Sequence, residues 1–271
     1  MSPIKPYPPV VDGLVVTVAD GVVTVLFDRA ERRNALTDDM VLALTDVVDA
    51  ATADDSTRVL HLTAAGRDFC TGFDLSLRGG GPPPRTGAIQ RRMRWHVGRL
   101  MPALVDAQIP IVCSVQGAAS GLGMAIALAA DFTIAAEDAK FISPFTGMGF
   151  TPDSALSWLL PRLIGVARAK DVLMLGRRVS GADAAAWGMI HAAVPAEDLA
   201  GASADLVARV GTTASVAVGL AKALIHRGLS VDMTRHLADE ALAMELSSRS
   251  DDFREAGQAA RDNRRPDFTG R

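Results

Sequence analysis

Cysteine, aromatic side chains and net charge are all scarce in this chain. Cys70 and Cys113 are the 2 cysteines among 271 residues, and neither belongs to a Cys-x-x-Cys pair. That argues against a disulfide framework or a cysteine-based zinc site and fits a reducing compartment. The formal charge is −3, which leaves no basic field for nucleic acid. Arg91, Arg92, Arg94 and Arg99 form the densest basic group; helical spacing spreads them around a cylinder, as on a solvated face. Aromatics make up 5% against 49% hydrophobic residues overall. Ala, Val and Leu therefore supply the apolar volume, and disorder is not expected. The apolar stretch from Gly121 to Ala136 is interrupted by Asp131 and is too short to span a bilayer. Met1 to Val11 is proline-rich, has no apolar signal core and carries Lys5 as its one basic side chain. A cytoplasmic protein with neither membrane nor nucleic-acid partners is the expectation.

Other chemistries are missing too. Gly121-Leu122-Gly123 runs into Met124-Ala125-Ile126, so there is no GxGxxG, and no Walker loop or GxSxG elbow occurs. The 5 histidines, His61, His96, His191, His226 and His236, form no HExxH or similar metal pair. No metal or redox cofactor is expected.

What is present alternates between strand and helix. Leu14 to Val18 and Val22 to Phe27 are β-branched runs joined by Ala19-Asp20-Gly21, a hairpin turn. Thr37 before Asp38 and Asp39 is an N-cap signal, and Val41, Leu44 and Val48 follow at helical spacing, which predicts a helix over 38–53. Arg58 to Thr63 reads as a strand, Ala64 to Gly87 as a partly mobile loop, and 88–107 as a helix kinked at Pro102. Ile111 to Val115 is an apolar strand, followed by the turn Gln116 to Gly121 and an Ala-rich helix to Ala130. Phe132 to Ala135 and Lys140 to Ile142 read as short strands, and Pro152-Asp153 as the start of a helix through Leu160. After Ser180 and Asp183, a capping-box pair, the pattern is helical apart from Ile190 to Val194.

Four features bear on chemistry. In Asp68 to Leu75, Gly72 permits a positive φ that turns N–H groups outward; the plain alternative is a surface turn. Gly117 to Gly123 lies at a helix start, where unpaired N–H groups favour an anion; the alternative is close packing of a buried helix. Convergence of the two loops would make an oxyanion hole. Asp153 is either a helix N-cap or a general base among the apolar side chains Phe145, Phe150 and Trp158. His96 is the one histidine placed near the mobile loop, as a packed residue or as a base.

Taken in order, Asp28-Arg29, Arg33 to Leu36, Phe69 to Asp74, Gln116 to Gly123, Asp131, Trp158 to Gly165, Gly176-Arg177-Arg178 and Ala186 to Ile190 resemble the crotonase (enoyl-CoA hydratase/isomerase) superfamily. The likeness covers roughly residues 14 to 265. It implies an α/β fold: a spiral of ββα units over 1–205 with the acyl-CoA site, then helices over 206–271 that assemble a homotrimer or a dimer of trimers. By the same resemblance, Phe73 and Leu122 N–H groups hold the thioester oxygen, and coenzyme A, as part of the substrate, lies along Arg33, Ala35, Leu36, Cys70, Gly72, Asp74 and Leu75. Hydratases of the family activate water with two glutamates, and the matching positions here are Ala125 and Phe145. Losing both removes the acid–base groups of hydration.

Asp153 falls where several members carry a catalytic aspartate, and Pro152-Asp153-Ser154 with Trp158 to Arg162 is most similar to the ring-1,2-epoxyphenylacetyl-CoA isomerases. The resemblance therefore implies isomerisation of an unsaturated or ring-derived acyl-CoA through an enolate, with Asp153 as acid and base and Phe145, Phe150 and Trp158 around the acyl group. Two alternatives stand beside it: Asp153 as the nucleophile of a dehalogenase or hydrolase with His96 as base, and a non-catalytic acyl-CoA binder.

Overall fold

Two β-branched runs open the chain and pair as an antiparallel hairpin, β1 (Leu14–Ala19) and β2 (Val22–Phe27). Asp20 and Gly21 between them have φ of 50° and 75°, the doubly positive pair whose twist matches the strands it joins. The computed structural model describes Tyr7 and residues 11–78 and 84–271. The run Gly79 to Pro83 within the expected loop, and most of the proline-rich start, lie outside the described residues.

Helix α1 (Asp38–Ala53) begins where its cap predicts: the Thr37 hydroxyl accepts the Met40 N–H at 3.1 Å, and Asp38 and Asp39 occupy the positive end. It buries Met40, Val41, Leu44 and Val48. Strands β3 (Val59–Ala64), β4 (Ile111–Val115), β6 (Phe132–Ala136) and β9 (Ala192–Val194) continue in parallel from β2 into a 6-stranded sheet of order β1-β2-β3-β4-β6-β9. All of β4 is buried, which explains its uninterrupted apolar sequence.

A second, 3-stranded sheet joins β5 (Ala118–Ser120), β7 (Lys140–Ile142) and β8 (Val179–Ser180). The segment expected as a plain turn after β4 thus contains a strand, paired in parallel with β7. It leads straight into α4 (Leu122–Ala129), all 8 residues of which are buried.

Three expectations need correction. The helix expected over 88–107 is two, α2 (Ala88–Trp95) and α3 (Val97–Asp106), broken at His96, while Pro102 sits inside α3. At the break His96 leaves helical geometry, with φ −99° and ψ −83°, and its ring Nδ1 lies 2.9 Å from Arg92 O, the carbonyl that the His96 N–H also uses. Helix α5 (Leu156–Leu175) starts after Asp153 and is interrupted at Gly165, which has φ 75°. Helix α6 (Gly181–Ala186) has the expected Ser180 cap, but α7 (Leu199–Gly211) runs through the boundary expected at 205/206. It packs on β4 and β6 and buries Ser203, Leu206 and Val210, so it belongs to the core. The helices beyond it are α8 (Ser215–Gly228), α9 (Met233–Ser247) and α10 (Asp251–Arg261).

Candidate active site

The loops that leave the carboxyl ends of β3 and β4 are stitched together by main chain. Phe69 N–H donates to Gln116 O at 2.8 Å, Cys70 N–H to Ala118 O at 3.0 Å, and Ser120 N–H to Cys70 O at 2.9 Å. Asp68, buried beneath them, accepts the Ala118 N–H at 2.9 Å and Arg33 Nε at 2.7 Å. The Arg33 hydrogen bond holds its carboxyl below the usual range despite burial.

Two glycines make this approach possible. A Cβ on Gly123 would collide with Cys70 O, and one on Gly72, at φ 92°, would stand 2.9 Å from Ser120 O and 3.5 Å from Leu122 N. The Gly72–Phe73 segment therefore lies against the start of α4. Leu122 is the first residue of that helix, and its N–H has no acceptor within the helix. On the other loop, Leu36 N–H donates to Gly72 O at 2.8 Å and Asp74 N–H donates to Leu36 O at 2.9 Å. In a parallel bridge of this type the peptide groups of the middle residue face the opposite edge, so the Phe73 N–H points away from Leu36.

The surroundings of Leu122 are apolar. Phe145, buried, would be 3.7 Å from a Cβ on Gly121, and its ring meets Phe150 edge to face with centroids 5.8 Å apart. Ala125 is fully buried one turn into α4. No carboxylate stands at either position, in keeping with the sequence.

Asp153 follows Phe150 by three residues, and its helix-cap alternative is removed by the structure. The cap of α5 is Ala155, with no side-chain cap bond. Asp153 instead starts a tight turn: its C=O accepts the Leu156 N–H at 3.1 Å, and its Oδ1 accepts the Ser154 hydroxyl at 2.6 Å.

Trp158, the third side chain expected around the acyl group, borders a cavity of its own. Its ring lies under Arg162, 4.0 Å from the guanidinium carbon, and lines a cavity of about 450 Å³ with Leu128, Asp131, Lys222 and His226. Phe145 and Phe150 are in ring contact, and neither lines that cavity. His96 lies at the junction of α2 and α3. Its Nε2 is 3.9 Å from Asp38 Oδ1, and Asp38 in turn pairs with Arg92 at 2.6 Å. The Arg92 guanidinium sits over the Phe73 ring at 5.9 Å, so α2 and its arginine cover that residue.

The segments expected to receive a ligand divide by exposure. Arg33 and Leu75 are accessible, whereas Leu36, Cys70, Gly72 and Asp74 are buried and reach a ligand only through main chain. Burial pushes the Cys70 thiol up to about 12, which makes it inert. Asp74 is occupied by Ser76 at 2.6 Å and Arg29 at 3.3 Å, and the Arg29 guanidinium also holds Ala35 O at 2.6 Å. Sequence reasoning gave no separate role to Asn34, which is 0% exposed. Its amide accepts the Arg29 N–H at 2.8 Å and donates to Ala65 O at 2.8 Å and Asp68 O at 2.7 Å, tying the Arg33 to Leu36 segment to the loop after β3.

Comparison with known proteins identifies the family. The sequence profile described as enoyl-CoA hydratase/isomerase matches residues 17–271. The 1,2-epoxyphenylacetyl-CoA isomerase of Escherichia coli (strain K12) is 37% identical over 257 residues, 94% of this chain and 97% of that protein. The enoyl-CoA hydratase ACTT3 of Alternaria alternata is 32% identical over 92% of this chain and 83% of its own length. Among solved structures, the enoyl-CoA hydratase from Bacillus anthracis superposes with a TM-score of 0.89 at 30% identity, covering 96% of this chain and 100% of that one.

Proposed function

Since the chain belongs to the enoyl-CoA hydratase/isomerase family, we propose that it isomerises an acyl-CoA thioester through an enolate, with Asp153 as the group that removes and returns the proton. The observation that carries this reading is the junction of the two loops, which brings the Gly72–Phe73 segment to the Leu122 N–H at the start of α4 with Phe145 and Phe150 beside it.

The thioester carbonyl accepts hydrogen bonds from Phe73 and Leu122. As Asp153 takes a proton from the carbon chain, the electron pair moves toward that carbonyl, where the two N–H groups and the helix end stabilise the charge. Asp153 then gives the proton back at a different carbon, so electrons and protons balance without a redox partner. Ala125 and Phe145 keep water away from the enolate, in place of the two carboxylates that hydration requires. Coenzyme A enters as part of the substrate, along Arg33 to Leu36 and Cys70 to Leu75. An isomerase among the relatives, matched along nearly its whole length, supports this choice of reaction.

The test is deuterium uptake from D₂O into butanoyl-CoA, 3-hexenoyl-CoA and phenylacetyl-CoA, read by mass spectrometry for the wild type and Asp153→Asn. Uptake by the wild type alone is expected. Equal uptake by both proteins would remove Asp153 from the reaction, and no uptake into thioesters that bind would favour a carrier.

We also propose that the chain works as a homotrimer or a dimer of trimers. Val166, Met174, Leu175, Ile225, Met233 and Leu242 are large apolar residues exposed on α5, α8 and α9, more than an isolated chain ordinarily leaves wet. Light scattering is expected to give three or six times 28.4 kDa; a monomer mass would refute the assembly.

A further inference from the structure

Ser154 occupies a position for which serine is a poor conformational choice. Asp153 to Leu156 closes a tight turn through the Leu156 N–H, and its two central residues, Ser154 and Ala155, have φ of 55° and 62°. That doubly positive turn favours Gly, Asn or Asp, because a Cβ crowds the backbone in the left-handed region. Neither central residue is of that set. Ser154 is also 3% exposed, so solvent does not account for its hydroxyl. Its one short contact is with the neighbouring carboxylate, Oγ to Asp153 Oδ1 at 2.6 Å, the length of a charge-assisted O–H···O bond.

We infer that Ser154 is the positioning residue of the reaction: its hydroxyl ties Oδ1 of Asp153 and helps to fix the plane in which the carboxylate meets the substrate. The inference rests on the reading of Asp153 as the base. Strain held in a backbone beside a reacting group, and offset by the rest of the fold, is a known way to keep that group oriented. Glycine at 154 would relieve the turn and lose the hydroxyl. Misorientation of an acid–base group by a fraction of an ångström costs about tenfold or more in rate, without changing how tightly substrate is held.

The experiment uses the full-length enzyme and three variants, Ser154→Gly, Ser154→Ala and Asp153→Asn, with 3-hexenoyl-CoA and phenylacetyl-CoA exchange in D₂O as the assay. Both serine variants are expected to lose about tenfold or more in kcat with KM within a factor of two. Ser154→Gly should keep or raise the thermal midpoint, since glycine fits the positive φ. A backbone role alone predicts the reverse, with Ser154→Gly as active as the wild type. The inference is overturned if either serine variant turns over within twofold of the wild type, or if the loss lies in KM. The Asp153→Asn arm separates the two ideas. If it still exchanges, the base assignment fails and takes this inference with it; if it is dead while Ser154→Gly is active, the hydrogen bond alone is wrong.

Discussion

Lys222 on α8 offers the sharpest test of how the C-terminal helices hold the core. The side chain is 6% exposed, and its ammonium donates to Asp131 Oδ2 at 2.8 Å, Leu104 O at 3.0 Å and Ile109 O at 3.4 Å. Asp131 also accepts the Ile111 N–H at 2.8 Å, so one carboxylate joins the end of α4, the first residue of β4 and α8. Burial pushes the Lys222 ammonium below its usual value of 10.5, and Asp131 offsets part of that. The unfolded chain therefore holds this proton more tightly than the folded one. The buried charge costs stability at neutral pH, and the cost is relieved only as pH rises through the window from the lowered value to 10.5. The pair is thus no bargain against an apolar pair, but half of it is worse. Lys222→Met leaves Asp131 with a single hydrogen-bond donor and strands the Leu104 carbonyl, for an expected loss of about 3–5 kcal/mol. At about 2–4 °C per kcal/mol the thermal midpoint should fall by about 6–20 °C. Adding Asp131→Asn, which keeps an acceptor for Ile111 and removes the stranded charge, should recover at least about 1.5 kcal/mol relative to additivity. Urea unfolding followed by circular dichroism at one fixed protein concentration measures all three variants, because assembly would otherwise shift the midpoint. A loss below about 1 kcal/mol in Lys222→Met, or strict additivity in the double variant, would refute the reasoning.

His61, whose Nε2 lies 2.8 Å from Ser114 Oγ, is pushed down to about 4 by burial. The unfolded chain protonates first, so folding stability should fall as pH drops from 6.5 to about 4. His61→Gln should remove up to about 2–3 kcal/mol of that slope; urea midpoints at pH 7, 5.5 and 4.5 compare the two proteins, and identical slopes would exclude His61 as the source. Asn34→Ala deletes three hydrogen bonds, one buried and two part-buried, at a residue with φ 54°, and should cost about 2–4 kcal/mol. A thermal midpoint within 2 °C of the wild type would show that the Arg29 to Leu36 segment is held by something else.

Local signals were legible where one residue decides a conformation. Asp20-Gly21 specifies the hairpin, Thr37 specifies the start of α1, and the glycines at 72 and 123 mark where two backbones meet. The break at His96 was not legible, since it falls at a residue that is not a helix breaker, while Pro102, which is one, sits inside α3. The late start of α5 was missed because Ser154-Ala155, at φ of 55° and 62°, carries none of the Gly, Asn or Asp that mark such a turn. Trp158 was grouped with Phe145 and Phe150 by proximity in sequence and polarity, but a helix starting at Leu156 turns its ring toward α8. Asn34 entered the sequence reading only as part of the Arg33 to Leu36 motif, because one amide in a polar stretch looks like a surface residue until its three partners are known.

Helix α4 has no wet face, since every one of its 8 residues is buried. It cannot fray outward as a surface helix does, for each turn that opened would bring apolar atoms into water on all sides. Hydrogen exchange at its interior amides then requires the core itself to come apart. The direction in which its first N–H groups point is guarded by the free energy of the entire fold, so heat should extinguish turnover and tertiary structure in a single step, with no partly active species between.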